Sequence, residues 1–493
     1  MKNKTVDIGL SPAMIYFVAD VQFRSKKVLY KRITTIKMKH ILLISFFLCA
    51  IGLTGYAQQD TSKIQTYNFS VAECINYALT HQDSVKNAAL DVQSADYKIK
   101  ETIGTGLPQI NGSASFQDYI KPPTTVGPNF AAAFTGAAID PNAPLVPFPF
   151  GAVKYTNSYS AQLTQLLFSG TFIVGLKAAK TYKELYVRTL TRSKIEASIN
   201  VTKAYYQVLV SNERIKLLDA NINQLKQQLD QTVQQNKQGF VEKIDVDRLT
   251  VQYNNLVTSR QNTIRLLLFN YELLKFQMGM PIQQELTLKD KLEDIDLNQN
   301  AAAVLDTSFY HRRIEYNLAE TNVTLNQLDV LEKKAAFLPS LSANAGIADV
   351  YQENHFKYLY NHPYFNNYIG LSLTVPIYNG GQRRNQMRES EINVQKAQND
   401  LSNAKNALSL QVSSAQITLT NSVESLNNQK RSRELALEVL RVARIKYQQG
   451  VGSSIEVTQA ETDLQSADDQ YIQALYTTLI SKVDLDKALG NIK

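Results

Sequence analysis

Two uninterrupted stretches of 68 residues, 171–238 and 382–449, most strongly limit the folds open to this chain. Neither contains proline, which would kink or end a helix. Apolar residues recur at steps of three and four along both, as at Ile215, Leu218 and Ile222. This spacing is typical of helices that pack on other helices. At a rise of 1.5 Å per residue, each stretch predicts a helix about 100 Å long.

The two stretches belong to a duplicated sequence, and an internal repeat of this kind indicates a repeated structure. Gly239 and Gly450, which follow the two stretches, are 211 residues apart, and so are Gly279 and Gly490. Each half has one order of elements: helix, Leu-Pro, strand, loop, strand, glycine-containing turn, very long helix, glycine turn and helix. We therefore expect two structural repeats.

The repeats are predicted to cover residues 58–300 and 301–493, after an N-terminal extension and signal peptide at 1–57. The first should contain a helix at 70–102, strands at 109–120 and 154–167, the long helix 171–238, a helix at 241–279 and an equatorial segment. The second should contain a helix at 301–336, strands at 340–351 and 364–377, the long helix 382–449 and a helix at 454–489. Two shorter helices end to end match one long helix in length, and the predicted pairs are 241–278 with 301–336, and 454–489 with 70–102.

The four predicted strands alternate between apolar and small polar residues, as in Ile369, Gly370, Leu371 and Ser372. The alternating run in each is about 9–11 residues long, which is enough to cross a bilayer as a tilted strand. Tyrosines occur at the strand ends near the loops, and they resemble the aromatic girdle of a membrane barrel: Tyr119, Tyr155, Tyr351, Tyr358, Tyr360 and Tyr364. The alternative is an ordinary half-buried sheet in a soluble domain.

Four strands cannot close a membrane barrel, because single-chain barrels need about eight. An unpaired backbone N–H or C=O group in hydrocarbon costs several kcal/mol, so the strands must pair with those of other copies. Closed cyclic symmetry is the usual way to form such an assembly. The sequence therefore predicts an oligomeric pore, although strand counting does not fix the number of subunits.

A secretory signal is predicted near the N-terminus. Lys37, Lys39 and His40 precede an apolar run of 13 residues, 41–53, which is too short for a bilayer span of roughly 20 residues. Small residues at positions 55 and 57 predict cleavage after Ala57, which would release a mature chain that starts at Gln58. Residues 1–37 add no recognisable signal, and Met38 is an alternative start.

The two cysteines lead to separate predictions. Cys49 lies within the apolar run, and a lipoprotein reading would make it the acylated mature N-terminus. Lipoprotein processing favours a small residue before the cysteine, whereas Leu48 stands there, so we expect Cys49 to be discarded with the signal. Cys74 then remains without a disulfide partner, and its amphipathic surroundings predict a role in packing.

The basic charge of the chain is confined to its N-terminal end. The formal net charge is +8, but residues 1–57 carry nine basic and two acidic residues and so supply +7 of it. Because residues 58–493 are almost neutral, their charge gives no reason to expect nucleic-acid binding.

These features together resemble the TolC / outer membrane efflux protein family over about residues 65–490. The resemblance rests on the duplicated order, on the Leu-Pro before each first strand, and on the following motifs: Phe168-Ser169-Gly170, Tyr378-Asn379-Gly380-Gly381, and Tyr447-Gln448-Gln449-Gly450 with Ile455-Glu456-Val457. The fold that it implies is a mixed α and β membrane protein. Four strands per chain would join a twelve-stranded barrel in the outer-membrane lipid, and long coiled-coil helices would form a periplasmic α-barrel.

The function that the resemblance implies is a homotrimeric exit duct in a tripartite efflux or type I secretion system. A periplasmic adaptor and an inner-membrane pump would dock onto it, and the pump would supply the energy for export of drugs, metals or proteins. The helix-tip glycines Gly239, Gly450 and Gly452 would lie at the adaptor contact. The resemblance does not identify the substrate or the class of pump.

The resemblance also implies a gate at the tips of the helices. Family members carry two acidic residues one turn apart after the second tip glycine, and these acids narrow the periplasmic mouth. Glu456 matches the first acid, but Gln459 stands at the second position. A basic residue that usually holds the closed state is replaced here by Gly452.

In the first repeat, Asp245 matches the acidic partner of that lock, and Lys243 and Arg248 lie nearby. Our hypothesis is that Glu456 and Asp245 line the mouth and that the lock is weaker or is rebuilt around Lys243 or Arg248. The alternative is that both acids are solvated residues that the helix dipole favours in a first turn.

Two other functions remain open: a soluble periplasmic coiled-coil scaffold and a porin-like uptake channel. The long helices count against a porin, which needs no periplasmic extension. An enzyme is not expected, since the sequence has no glycine-rich phosphate loop, no His-Glu-x-x-His motif and no cysteine pair. No cofactor is expected either, and His355 and His362 lack a third metal ligand and are expected to be surface residues.

Overall fold

A computed structural model of the chain describes residues 66–122, 125–127, 145–148, 153–292 and 309–492. All of them belong to the larger of two compact units, Gln65–Lys493. The predicted signal peptide, its cleavage after Ala57 and the fate of Cys49 lie outside the described residues.

The first part of the described chain contains a short strand, two helices, a sheet region and two long helices. In order these are β1 (Thr66–Phe69), α1 (Val71–His81), α2 (Asp83–Thr105), β2 (Gln109–Asp118), β3 (Thr125–Gly127), β4 (Val146–Phe148), β5 (Tyr155–Phe168), α3 (Gly170–Lys237), α4 (Lys243–Met278) and β6 (Glu285–Leu288). The helix α3 has 68 residues, and Ser169 caps its start by accepting a hydrogen bond from the Phe172 N–H.

The second part repeats the order of helix, two strands and two helices. Its elements are a 3-10 turn (Phe309–Arg312), α5 (Ile314–Ala335), β7 (Ser340–Glu353), a second 3-10 turn (Phe356–Tyr358), β8 (Pro363–Thr374), α6 (Gln382–Gln448) and α7 (Ser454–Leu489). The helix α6 has 67 residues. The two long helices begin and end within one residue of the ranges predicted from the sequence.

Two predicted helices need correction. The prediction of a single helix at 70–102 is wrong, because Gln82 has extended backbone angles and separates α1 from α2. The Gln82 side chain accepts a hydrogen bond from the Val85 N–H, so an ordinary-looking glutamine caps the second helix. The predicted helix at 301–336 is described only from its later part, where α5 begins at Ile314 after the 3-10 turn.

The predicted pairing of the shorter helices is also wrong. A Cβ atom added to Gly279, at the end of α4, would lie 2.6 Å from the His81 carbonyl oxygen, at the end of α1. One added to Gly490, at the end of α7, would lie 3.0 Å from Arg312 Cβ. Thus α4 adjoins the α1–α2 break, and α7 adjoins the residues before α5.

The physical reason for this pairing is that each stack lies along the long helix of its own half. Helices α2 and α4 both pack on α3, while α5 and α7 both pack on α6 and also contact α3. These shorter helices flank the long helix in the chain, so a turn or a strand pair returns each of them antiparallel to it. Helix lengths alone could not distinguish this arrangement from a pairing between halves.

The four predicted strands form one antiparallel sheet with the order β2-β5-β7-β8. Since directly opposed residues share a face, the register defines two faces. The apolar face carries Ile110, Leu163, Ile347, Ile369, Leu371 and Leu373. The polar face carries Ser113, Ser158, Ser160, Asn344, Asn366 and Thr374. On the apolar face Ile369 is 88% exposed, while serine hydroxyls pair across the polar face, as Ser113 does with Ser160 at 2.7 Å.

A buried cluster joins α1, α3 and the end of α4 near the middle of the molecule. Cys74, Tyr205, Leu274 and Met278 are completely buried there. The Tyr205 hydroxyl donates to Asp290 Oδ2 at 2.9 Å, and the same oxygen accepts from the Val71 N–H at the start of α1. Burial raises the pKa of the Cys74 thiol to about 12. Cys74 is therefore a packing residue, as its sequence context predicts.

Candidate gate at the helix tips

Two similar turns form the tips, one between α3 and α4 and the other between α6 and α7. Gly239 and Gly450 have φ values of 79° and 73°, a left-handed conformation that favours glycine. In each turn the next residue donates its N–H back into the helix, from Phe240 to the Gln235 carbonyl and from Val451 to the Lys446 carbonyl, both at 3.0 Å. Phe240 and Val451 are each 77% exposed, so each tip presents an apolar side chain to its surroundings.

Gly452 has a separate steric role in the second turn. Its N–H donates to the Lys446 carbonyl oxygen at 3.1 Å. A Cβ atom at this position would lie 2.9 Å from Lys446 Cβ and 3.0 Å from the Tyr447 nitrogen. The backbone here thus leaves no room for the basic side chain that the family resemblance predicts at this position.

Asp245 connects the two tips. It lies in the first turn of α4 and accepts a short hydrogen bond from the hydroxyl of Ser454, the first residue of α7. Arg248 Nη1 lies 3.6 Å from Asp245 Oδ1, and the Asp245 side chain is only 17% exposed. Lys243 is exposed and forms no ion pair within the described part of the chain. Of the two predicted bases, Arg248 is the one that contacts Asp245.

Glu456 and Gln459 lie on the adjacent surface of α7. The Glu456 N–H donates to Ser453 Oγ at 3.2 Å, which caps the helix, and its side chain is exposed. Gln459 Nε2 donates to Asp463 Oδ1 at 2.9 Å. All three side chains line one groove between α6 and α7, together with Glu438, Val439, Val442, Ala443, Lys446, Ile455 and Ala460.

Two of these contact residues, Ser454 and Asp463, were not singled out from the sequence. Asp463 supplies, one turn later, an acidic group that position 459 lacks, and the spacing of four residues from Gln459 is a detectable signal on a helix. Ser454 could have been recognised only as one of two serines before Ile455, because its contact with Asp245 joins residues that are 209 apart in the chain.

Above the tips, a buried ion pair connects α6 to α7. Arg444 Nη2 lies 2.9 Å from Glu461 Oε1, and the two side chains are 15% and 7% exposed. Glu461 Oε2 and Arg444 Nε have no hydrogen-bond partner among the described residues. Burial raises the pKa of the Glu461 carboxyl, although Arg444 acts in the opposite direction. The pair lines a small pocket that also contains Gln252 of α4 and Asn221 of α3.

Further polar contacts lie about two turns farther along α7. We call this row of polar contacts between α7 and its neighbours the polar seam. Asp468 of α7 accepts from Asn221 Nδ2 of α3 at 2.8 Å and from Arg433 Nε of α6 at 2.6 Å. Arg214 of α3 pairs with Asp469 at 2.7 Å. Ser454, Glu461 and Asp468 are seven residues apart on α7, as are Arg214, Asn221 and Gln228 on α3. This polar heptad spacing is visible in the sequence, but its significance depends on which helices face each other.

The described residues contain neither a helix suited to cross a membrane nor a cluster of metal-ligating side chains. No described helix combines the length and apolar character needed to cross a bilayer. No three His, Cys, Asp or Glu side chains of that part are grouped as metal ligands. His355 and His362 are exposed.

With the fold and tips in place, comparison with known proteins identifies the family. The pattern that defines the family Outer membrane efflux protein matches residues 74–267 and 317–491. The chain belongs to the outer membrane efflux protein family. This membership confirms the family and the function predicted from the sequence, an outer-membrane export channel, and it does not support the soluble scaffold.

Individual family members match the chain along most of its length. Outer membrane protein TolC of Escherichia coli (strain K12) is 24% identical over 473 residues, which cover 92% of this chain and 87% of TolC. Cation efflux system protein CusC of the same organism is 23% identical over 440 residues, covering 85% and 86% of the two chains. The crystal structure of the outer membrane protein VceC from Vibrio cholerae has a TM-score of 0.66 at 14% identity and covers 85% of this chain and 96% of that one. These likenesses confirm the predicted fold.

Proposed function

We propose that three copies of this outer membrane efflux protein form one exit duct, with twelve strands in the outer membrane and the long helices in the periplasm. The observation that carries the proposal is the four-stranded sheet, in which β2 and β8 are terminal strands with no described partner on their outer edges. Lipid does not tolerate unpaired backbone groups. Pairing of β8 with β2 of the next copy satisfies both edges and leaves the polar face towards a water-filled lumen.

Periplasmic partners are proposed at the tips. The exposed Phe240 and Val451 follow the two left-handed glycines Gly239 and Gly450, and together with Gly452 they present backbone and apolar surface at the far ends of α3 and α6. Such a surface suits a periplasmic adaptor that delivers substrate from an inner-membrane pump. The duct itself conducts passively, because energy comes from the pump.

A direct test combines mass and conductance. Protein purified in mild detergent is expected to have the mass of a trimer and to form channels when it is added to a planar lipid bilayer. A monomeric mass, or trimers that never conduct, would contradict the shared barrel. A matched variant is Asn366→Pro, which removes a backbone N–H from β8 and is expected to prevent channel formation.

The chain is also proposed to reach the outer membrane through a signal cleaved after Ala57, and to consist of the two repeats 58–300 and 301–493. Thiol counting tests the cleavage. The full sequence has two cysteines, and Cys74 is buried with a pKa of about 12. A thiol reagent such as DTNB is expected to leave native mature protein unlabelled and to react with one thiol per chain in denaturant. Two reactive thiols per chain would show that Cys49 is retained.

The proposed gate gives a prediction at Asp245. Changing Asp245→Ala removes the acceptor for both Ser454 and Arg248, and loss of about 1 kcal/mol of hydrogen bonding shifts a closed–open equilibrium about fivefold. We expect a higher mean conductance in single-channel recordings and the same direction of change for Ser454→Ala. Because Asp245→Ala already breaks the contact that Ser454→Ala removes, the double variant should add little to Asp245→Ala alone.

Asp247→Ala is the matched control, since Asp247 is an exposed acid of the same turn. Equal effects at 245 and 247 would mean that general charge loss, and not the tip contact, controls opening.

For the second proposed mouth residue, Glu456→Gln is expected to reduce cation selectivity. Unchanged selectivity would leave Glu456 as a solvated carboxylate of the first helical turn.

A further inference from the structure

The loop between β7 and β8, residues 354–362, folds back onto the apolar face of the sheet. Its 3-10 turn places the Phe356 ring in edge contact with Phe116 and Tyr155, with ring centroids 6.1 and 5.6 Å apart. Leu359, at the centre of the loop, is only 1% exposed. Phe116 and Tyr155 lie on the apolar face, because Phe116 is opposite Asn157 in the register and Tyr155 is two residues from Asn157. The loop therefore covers the outer end of that face.

Asn157 shows why the loop must stay there. It lies on the apolar face, opposite Tyr351 of β7, yet it is only 4% exposed. Its Nδ2 atom donates to the Tyr159 hydroxyl at 3.0 Å and to the Tyr360 hydroxyl of the loop at 2.8 Å. An amide that faced hydrocarbon without partners would be costly, and the loop supplies both a partner and a cover.

The sheet covers the aromatic side chains of the loop only in part. Phe356, Tyr358 and Tyr360 remain 58%, 47% and 53% exposed. Lys357 Nζ lies 5.6 Å from the centre of the Tyr358 ring. Aromatic rings with hydroxyls and a nearby lysine are the combination that favours the headgroup zone of a bilayer.

We propose that this loop is an outward collar that docks in the headgroup layer of the outer leaflet. The proposal rests on the proposed function, because it takes the apolar face to be the side against lipid. Lipid is the expected surroundings of the loop because the exposed apolar face continues directly below it. There the same face presents Ile347, Ile369 and Leu371, which are 61%, 88% and 72% exposed. A loop that lies on the lipid side of the wall cannot also cover the lumen.

The alternative position is over the mouth of the duct, as a lid. That position requires contacts with the polar face, where Tyr364 stands opposite Val350 at the same end of the sheet. The ring contacts of Phe356 and the hydrogen bond of Tyr360 are instead with apolar-face residues. Deleting the aromatic side chains of the loop is therefore expected to alter membrane anchoring and to leave the single-channel conductance unchanged.

Fluorescence quenching tests the collar directly, because the chain contains no tryptophan. Three single-tryptophan variants are reconstituted into lipids brominated either near the headgroup or deep in the acyl chain: Phe356→Trp in the loop, Ile369→Trp on the apolar face and Tyr364→Trp on the polar face. Headgroup-proximal bromine is expected to quench the emission of the loop variant more strongly than deep bromine does, because an interfacial aromatic residue lies at the headgroup level. Bromine in the lipid should quench the emission of the Tyr364 variant little, because that residue faces water. Iodide in solution should quench it.

The Ile369 variant separates the two possible failures. If deep bromine does not quench it, the apolar face does not contact lipid and the proposed function fails. If deep bromine quenches Ile369→Trp while iodide but not shallow bromine quenches Phe356→Trp, the collar alone is wrong. Adding Asn157→Ala to the loop variant should reduce its shallow quenching, because the hydrogen bond that holds Tyr360 is lost, and unchanged quenching would count against this attachment.

Discussion

Gly279→Ala is expected to lower the free energy of unfolding by about 2–5 kcal/mol. The residue has a φ of 69°, and a non-glycine residue in the left-handed region costs about 1–2 kcal/mol. The added Cβ would also lie 2.6 Å from the His81 carbonyl and 2.7 Å from Gln82 Cα. Backbone atoms cannot move aside as flexible side chains do, and overpacking of this kind costs about 1–3 kcal/mol more.

Gly239→Ala is the matched control, because its φ of 79° is similar but no atom lies within 4 Å of the added Cβ. It should show the conformational cost alone, about 1–2 kcal/mol. Thermal unfolding of the detergent-solubilised protein, followed by circular dichroism at 222 nm, would rank the variants. If the two changes lower the midpoint equally, the contact between α4 and the α1–α2 break contributes nothing to stability.

Arg444→Met is expected to have a comparable effect, with a loss of about 3–5 kcal/mol, because it leaves the Glu461 carboxylate buried without a partner. Glu461 is only 7% exposed in the pair, so water cannot replace the guanidinium fully. The double change of Arg444→Met and Glu461→Leu removes both charges and should recover most of the loss. A single variant as stable as the parent would mean that the coil opens and hydrates the carboxylate.

The stability of the Arg444→Met variant should depend on pH in a defined direction. Burial raises the pKa of Glu461 in the folded protein, and Arg444 limits the rise, so removing Arg444 raises the pKa further. A carboxyl with a raised folded-state pKa binds its proton more tightly when folded, so its contribution to stability improves as the pH falls through that range. The deficit of Arg444→Met should therefore be smaller at about pH 5 than at about pH 8, whereas the double variant should show no such difference.

The sequence predicts the elements of this fold well, because their determinants are local. Proline-free heptad spacing specifies α3 and α6, and period-two alternation specifies the four strands. The helix break at Gln82 is not predictable in this way, since it depends on a glutamine side chain that caps the Val85 N–H. The prediction of how the shorter helices pair also fails, because end-to-end contacts such as that of Gly279 with His81 produce no periodic pattern in the sequence.

The residues of the candidate gate were only partly predictable for a similar reason. Asp245 is identifiable from its place after the first tip, but its partner Ser454 comes from the other half of the chain. Gly452 looks like the loss of a basic residue in the sequence, whereas the structure shows a turn too tight for any side chain. The buried pair of Arg444 and Glu461 was missed because charged residues on long helices are usually exposed.

The polar seam between α3 and α7 has a mechanical consequence. From Ser454 to Asp469, a rise of about 20 Å, the hydrogen bonds and ion pairs that join α7 to α3 and α4 are ones for which water can substitute. Towards α6, by contrast, the same part of α7 packs through the buried Val457, Ala460 and Leu464. Immediately beyond, Leu475 and Leu479 of α7 pack with Val210 and Leu426 in a buried apolar cluster, whose exposure to water would be unfavourable. Separation of the α6–α7 pair from α3 and α4 would thus stop at this cluster, and only the part of α7 from Ser454 to Asp469 would move at the proposed mouth.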